Sequence, residues 1–309
     1  MKKCLIVLLI FSVGLSMAQT KTLNEESLSI SPLIEGLLIT PESTQQLPLV
    51  ILIGGSGPID RDGNQMMAKN NSLRFLAEGL YEKQIAVFRY DKRIVKLMKK
   101  GNLIEDNIRL GDFIEDAILV LEHFKNDPRF SKIYVLGHSQ GSLVGMIASQ
   151  ERADGFISIA GAGQEIDDVI VDQIAKQAPG LEENARMSFD DLRVNGVSQN
   201  YSPGLASIFR PSIQPFILSW MQYDPQVELS KLTVPILIIN GDKDLQVQIS
   251  EAEALYKVKP EAKYVIIKNM NHIMKEIHGD DLENQKSYNE YNRPIISELI
   301  DVITAFILG

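Results

Sequence analysis

The chain has 309 residues, 45% of them apolar and 23% charged, which is ordinary globular composition. Its 31 basic and 40 acidic side chains leave a net charge of −9, so it lacks the basic surface that nucleic acid or an anionic membrane would demand. A single cysteine excludes an internal disulfide and every metal site built from several cysteines.

In chain order, the first segment is expected to be removed rather than folded. Lys2 and Lys3 precede an uninterrupted apolar run from Leu5 to Phe11, and Ser16 and Ala18 put small residues where a signal peptidase reads them, before Gln19. Residues 1–18 therefore read as a signal peptide, with export to a bacterial periplasm or beyond. The run is too short for a permanent membrane anchor. Cys4 lies before it, so lipidation is not expected, and the mature chain holds no cysteine nucleophile.

Leu28–Ile30 and Glu35–Ile39 flank Ser31-Pro32 and read as a small antiparallel pair. Six short runs rich in Val and Ile follow: Leu49–Ile53, Ile85–Phe88, Ile133–Leu136, Phe156–Ile159, Ile236–Ile239 and Tyr264–Ile267. They are nearly continuous rather than alternating, as strands buried on both faces of a parallel sheet must be. Helical spacing lies between them, over Ser72–Lys83 and Asp106–Phe124, and again over Pro294–Leu308 at the end. Strands alternating with helices predict an α/β fold, a mostly parallel sheet flanked by helices. Residues 163–230 break this rhythm with three amphipathic stretches, Ile166–Gln177, Glu182–Val194 and Ser207–Met221, and no strand pattern. An insertion of that length reads as a helical cap over the sheet, within one domain spanning residues 19–309. Phe209, Phe216, Ile217 and Trp220 are its candidate pocket-lining residues.

The sharpest local signal is Gly137-His138-Ser139-Gln140-Gly141, directly after one strand run and opening a small-residue helix. G-x-S-x-G in a strand–turn–helix setting is a nucleophile elbow, which lifts the serine hydroxyl clear of the sheet. A serine hydroxyl needs a base. Of the four histidines, His272 follows the last strand at its carboxyl end, where catalytic groups of open α/β sheets gather. His123 lies inside a helix, His138 in the elbow itself, and His278 six residues past His272. The base needs an orienting acid, and Asp242 or Asp244 after the Ile236–Ile239 run could serve. The glycine-rich stretch Ile53–Pro58 can aim a backbone N–H at developing negative charge, with Ser56 as its candidate donor and the N–H of Gln140 as the second. The Gly-Lys-Ser/Thr of a phosphate-binding loop is absent there. Asp60–Asn64 matches only half of a calcium loop, since Gln65 and Asn71 replace the Gly and Glu it requires.

With these motifs the chain resembles the α/β-hydrolase superfamily, and more narrowly bacterial carboxylesterases and related serine peptidase-like hydrolases with a helical cap. Their Gly-Ser-Gly-Pro-x-Asp-Arg-Asp stands here as Gly55–Asp62, and their Arg-Tyr-Asp-x-Arg as Arg89–Arg93; Ile94 replaces the Gly that usually follows. The resemblance implies Asp244, in Gly-x-x-Asp-x-x-Val, as the acid, giving the chain order Ser139, Asp244, His272. It implies hydrolysis of small carboxylic esters through an acyl-enzyme, with no metal or organic cofactor. A peptidase or amidase could use the same triad, and a non-catalytic binding protein of this fold would have lost a triad member. Oligomeric state leaves no signature in the sequence.

Overall fold

The computed structural model describes residues 23–309. The export signal expected over residues 1–18 lies outside them. Eight strands form one sheet: β1 (Glu25–Ser29), β2 (Glu35–Ile39), β3 (Leu47–Ile53), β4 (Ala86–Tyr90), β5 (Phe130–His138), β6 (Gly155–Ile159), β7 (Ile236–Gly241) and β8 (Lys263–Ile267). Their spatial order is β1-β2-β4-β3-β5-β6-β7-β8. β1 and β2 run antiparallel to their neighbours, and every pairing from β4 to β8 is parallel. The six parallel runs and β2 fall where the sequence puts them; β1 is Glu25–Ser29 rather than Leu28–Ile30, because Ile30 to Ile34 are taken up by the turn, in which the Ile30 N–H donates to the Ile34 carbonyl.

The helices are α1 (Ser72–Glu82), α2 (Arg93–Lys99), α3 (Leu110–Phe124), α4 (Gln140–Ser149), α5 (Ile166–Gln177), α6 (Glu182–Asn195), α7 (Ala206–Phe209), α8 (Gln214–Trp220), α9 (Pro225–Ser230), α10 (Ile249–Val258), α11 (Asp281–Ser287) and α12 (Ser297–Leu308). Two apolar cores lie on opposite faces of the sheet. One packs Phe88, Phe124, Val135 and Phe156 under α3 and α4; the other packs Val50, Leu136, Ile157 and Ile239 under α1 and α12. This double burial is why the strand runs are continuous rather than alternating. No helix among the described residues is long and apolar enough to cross a membrane.

Three helical stretches differ from expectation by more than a residue. α3 starts at Leu110, after a separate short turn at Glu105–Asn107, because the Arg109 N–H donates to the Asp112 carboxylate at 2.7 Å and caps the helix there. α12 starts at Ser297 because Ile295 bridges to Lys275 in extended form and the Ile296 N–H donates to Met274. The stretch Ser207–Met221 is two helices: Arg210, before Pro211, sits at ψ 144°, as a residue preceding proline prefers.

Between β6 and β7 lie α5 to α9; α5 to α8 share an apolar core of their own, Ile166, Val169, Ala185, Phe189, Leu192, Leu205, Phe209, Ile217 and Met221, whereas Leu229 of α9 packs into the core under the sheet. The Phe189 and Phe209 rings meet edge to face at 4.7 Å. The insertion is joined to the sheet domain by Phe216 against Phe113, by Arg210 to Glu105, and by Ser219, whose hydroxyl accepts the Leu110 N–H. Phe189→Ala should destabilise this unit by about 3–5 kcal/mol, the usual cost of emptying a buried aromatic site. Hydrogen exchange should show the loss across α5–α8 while the amides of β3 and β5 keep their protection.

Candidate active site

Four segments converge at the carboxyl edge of the sheet: the loop after β3, the turn after β5, the loop after β7 and the loop after β8. Ser139 occupies the turn between β5 and α4 with φ 54° and ψ −122°, a conformation that side chains other than glycine rarely adopt. Its neighbours explain the two glycines. A Cβ on Gly137 would lie 2.1 Å from the Gly141 carbonyl oxygen, and one on Gly141 would lie 2.3 Å from that of Ile53. The turn is thus pressed between its own helix and the end of β3.

His272 donates from Nδ1 to Asp244 Oδ2 at 2.8 Å, and both side chains are buried. Asp244 is itself oriented, since its Oδ1 accepts the N–H groups of Gln246 and Val247 at 2.8 and 2.9 Å. Asp242, the alternative left open by the residues alone, is exposed and among the described residues accepts only the Asn269 N–H. With the proton on Nδ1 committed to Asp244, His272 keeps Nε2 free to accept. Ser139 and His272 line one cleft, although no hydrogen bond joins their side chains among the described residues. His278 is exposed beside Glu276, away from that cleft.

Ser56 is exposed in the loop after β3 and lines the cleft together with Ser139. Gln140 is the first residue of α4, where the backbone N–H has no acceptor within the helix. Gly55 lets the loop close on the elbow, because a Cβ there would lie 3.2 Å from that of Ser139 and 3.3 Å from His138 Nδ1. The half calcium loop is spent on structure. Asp60 accepts the N–H groups of Asp62 and Asn64, Arg61 makes a bidentate pair with Asp91, and Arg89 donates to Asp62. Among the described residues no group of acidic, histidine or cysteine side chains could hold a metal.

A second chamber, of about 270 Å³, adjoins Ser139 and Ser56 and is walled by Leu143, Ile166, Val169, Ile170, Ile208 and Trp220. Of the four cap residues expected to line it, only Trp220 does. Phe209 is fully buried in the core of the insertion, and Phe216 and Ile217 face a separate cavity with Gly57, Ile108 and Phe113. Helical spacing put all four on apolar faces but could not tell the insertion's own core from a cavity wall.

His138 lies in the elbow itself, next to the serine in the chain. The structure gives it a partner: its Nε2 donates to the His272 carbonyl at 2.7 Å, with the rings 4.9 Å apart. It holds the His272 backbone in place.

No protein-family model matches the chain. Its sequence is 28% identical to Esterase EstD of Thermotoga maritima over 261 residues, covering 82% of this chain and 61% of that protein, so the chain spans less than two thirds of its relative's length. Est1E from Butyrivibrio proteoclasticus superposes with a TM-score of 0.58 over 92% of this chain and 99% of that one, at 17% identity. An esterase of Pyrococcus furiosus superposes with a TM-score of 0.56 over 93% and 92%, at 16% identity. This is the α/β-hydrolase fold. In an α/β-hydrolase the serine elbow joins a strand to a helix and the acid precedes the histidine in the chain, which is the order of Ser139, Asp244 and His272 here.

Burial pushes the His138 imidazole down to about 4, and His272 beside it acts in the same direction. Between that value and the ordinary 6.5 of an unfolded histidine, the unfolded chain binds more protons. Stability should therefore rise with pH from about 4 to 6.5, hold its full value above that, and fall as pH drops through the window. His138→Gln should flatten this part of the urea-unfolding profile by roughly 3 kcal/mol at most.

Proposed function

We propose that this protein is a serine carboxylesterase that hydrolyses short- to medium-chain esters through an acyl-enzyme on Ser139. The observation that carries the reading is the strained Ser139 turn sharing a cleft with a buried His272–Asp244 pair. Its similarity to a protein named as an esterase supports the same reading.

The chemistry follows from the geometry. Rotation of the Ser139 side chain within the cleft brings its hydroxyl to His272 Nε2, a contact that often tightens only when substrate binds. His272 takes the hydroxyl proton as Ser139 Oγ attacks the ester carbonyl, and Asp244 holds the tautomer and stabilises the imidazolium. The N–H groups of Ser56 and Gln140 receive the oxyanion. His272 then returns the proton to the leaving alcohol, and a water attacks the acyl-enzyme by the same steps. The chamber under the helical insertion, which lacks His272 among its walls, suits the acyl group; the cleft holding His272 suits the alcohol. In this reading residues 163–230 act as a cap, and the N-terminal signal brings the enzyme to its esters outside the cytoplasm.

The charge around the cleft favours esters over peptides. An exopeptidase needs carboxylates to hold a free amino terminus, and neither chamber has an acidic wall among the described residues. Three carboxylates at the start of the insertion are engaged elsewhere: Glu165 and Asp167 pair with Arg193, and Asp167 and Asp168 with Arg186.

A serine-directed phosphonate should label one peptide, the one containing Ser139, and Ser139→Ala should abolish both labelling and turnover with no loss of melting temperature. Asp244→Asn should lower kcat by about 10⁴-fold through the wrong histidine tautomer, while Asp242→Asn stays within a few fold. A label elsewhere, or an active Ser139→Ala, would overturn the reading.

The size of the acyl chamber makes a separate prediction. Rates on nitrophenyl esters should peak at short to medium acyl chains and fall beyond about twelve carbons, given the usual range of pocket volumes. Trp220→Ala, which removes one wall, should move the optimum to longer chains.

A further inference from the structure

Lys92 is a buried cation that the triad does not use. It lies just past β4, at the start of α2, and is only 6% exposed. Its Nζ donates to the Gly55 carbonyl at 2.8 Å and to Gln140 Oε1 at 2.7 Å, and sits 4.2 Å from the centre of the Phe113 ring. These contacts are neutral. Asp116 on α3 is the carboxylate whose charge acts on Lys92, yet it is held by Arg93 through two hydrogen bonds of 2.7 Å, and Asp112 on the same helix also pairs with Arg93. The other segments packed on Lys92, the loop after β3 and α4, bring only the neutral Gly55 and Gln140. A buried ammonium without its own carboxylate costs stability, so its stabilising use is to be sought in what it touches.

Both contacts lead to the proposed oxyanion donors. The Gly55 carbonyl and the Ser56 N–H belong to one planar trans peptide and point in opposite directions. Drawing that carbonyl towards Lys92 therefore turns the Ser56 N–H the other way, towards the chambers that Ser56 and Ser139 line. The second contact grips the side chain of Gln140, whose backbone N–H is the other donor. We propose that Lys92 is a positioning residue for the oxyanion site, bridging the loop after β3 and the first residue of α4 so that the Ser56 and Gln140 N–H groups keep their aim and spacing. The ammonium also polarises the Gly55–Ser56 peptide from behind, so the donor it presents is stronger while Lys92 is charged. Burial pushes Lys92 down to about 7, against the pull of Asp116, so this strengthening fades as pH rises through neutrality. The proposal rests on the serine esterase reading.

The test compares wild type with Lys92→Met, which keeps the stem and removes the ammonium. On a short nitrophenyl ester kcat should fall by roughly 10²-fold, as when one oxyanion donor is lost, while KM stays within about threefold. Affinity for a trifluoromethyl ketone, which forms a tetrahedral oxyanion on the serine, should fall in parallel with kcat/KM. The substitution removes a buried charge but leaves the Gly55 carbonyl and Gln140 Oε1 without a donor, so the deciding readout is the kcat of the folded fraction and not the urea midpoint. A purely structural lysine would leave that kcat and the ketone affinity intact. Wild-type kcat should decline on the alkaline side of neutrality, and Lys92→Met should lack that limb. Gln140→Glu, which supplies a carboxylate to Lys92 and keeps the backbone N–H, should move the limb to higher pH; it serves as the test if the methionine variant does not fold. Wild type that is active and labelled at Ser139, with kcat unchanged in Lys92→Met or an alkaline limb unmoved in Gln140→Glu, overturns the role of Lys92 alone. Wild type that neither turns over esters nor labels at Ser139 overturns the underlying reading instead.

Discussion

Ser139 keeps φ at 54° because two backbones press on its turn, the Gly141 carbonyl against Gly137 and the Ile53 carbonyl against Gly141. Such a conformation costs about 1–3 kcal/mol and persists only where the surroundings over-determine it. Here they do. β3 is paired with β5 along its full length, from Leu47 to Ile53, so the end of β3 cannot retreat from the elbow without breaking the centre of the sheet. The same closeness brings the loop after β3 to the serine, and Gly55 makes room for it. The strain that exposes the hydroxyl and the approach that delivers Ser56 are one packing arrangement.

Around that arrangement the polar groups divide into two sets. On one side, Arg61 with Asp91 and Arg89 with Asp62 tie the loop after β3 to the end of β4. On the other, His138 holds the His272 carbonyl, and Asn271 donates to Asn284 and Ser287 on α11, which anchors the loop after β8. Lys275, fully buried, donates to the Asn70 and Arg293 carbonyls and joins the two sides. Charged and polar groups buried this deeply add little net stability. Their effect here is geometric: loops that would otherwise move independently are held against the same sheet edge.

The insertion between β6 and β7 has its own core and meets the sheet domain through Phe216 with Phe113, Arg210 with Glu105, and Gly163 and Gln164, whose N–H groups donate to Glu251 on α10. A unit with its own packing can be reshaped over the cleft without disturbing the elbow beneath it. Ile166, Ile170, Ile208 and Trp220 of the insertion wall the chamber beside Ser139, whereas Ser139, Asp244 and His272 stand on the loops of the sheet.

By itself the sequence determined the strands, the elbow at Ser139 and the position of His272 past the last strand, because each of these is written in local spacing. It also separated the insertion from the sheet, since a long interval without a strand pattern has no other place to go. Asp244 became distinct from Asp242 only through the family resemblance, and the reason is tertiary: the turn after β7 buries one carboxylate against His272 and leaves the other in solvent. Phe209 and Trp220 read alike as apolar helical residues, yet one fills the insertion's core and the other walls a chamber. Lys92 and His138 carried no signal of their own, a lysine after a strand and a histidine inside a motif. Their roles depend on carbonyls 37 and 134 residues away in the chain. Only the order in which the sheet stacks its strands brings those partners to one edge.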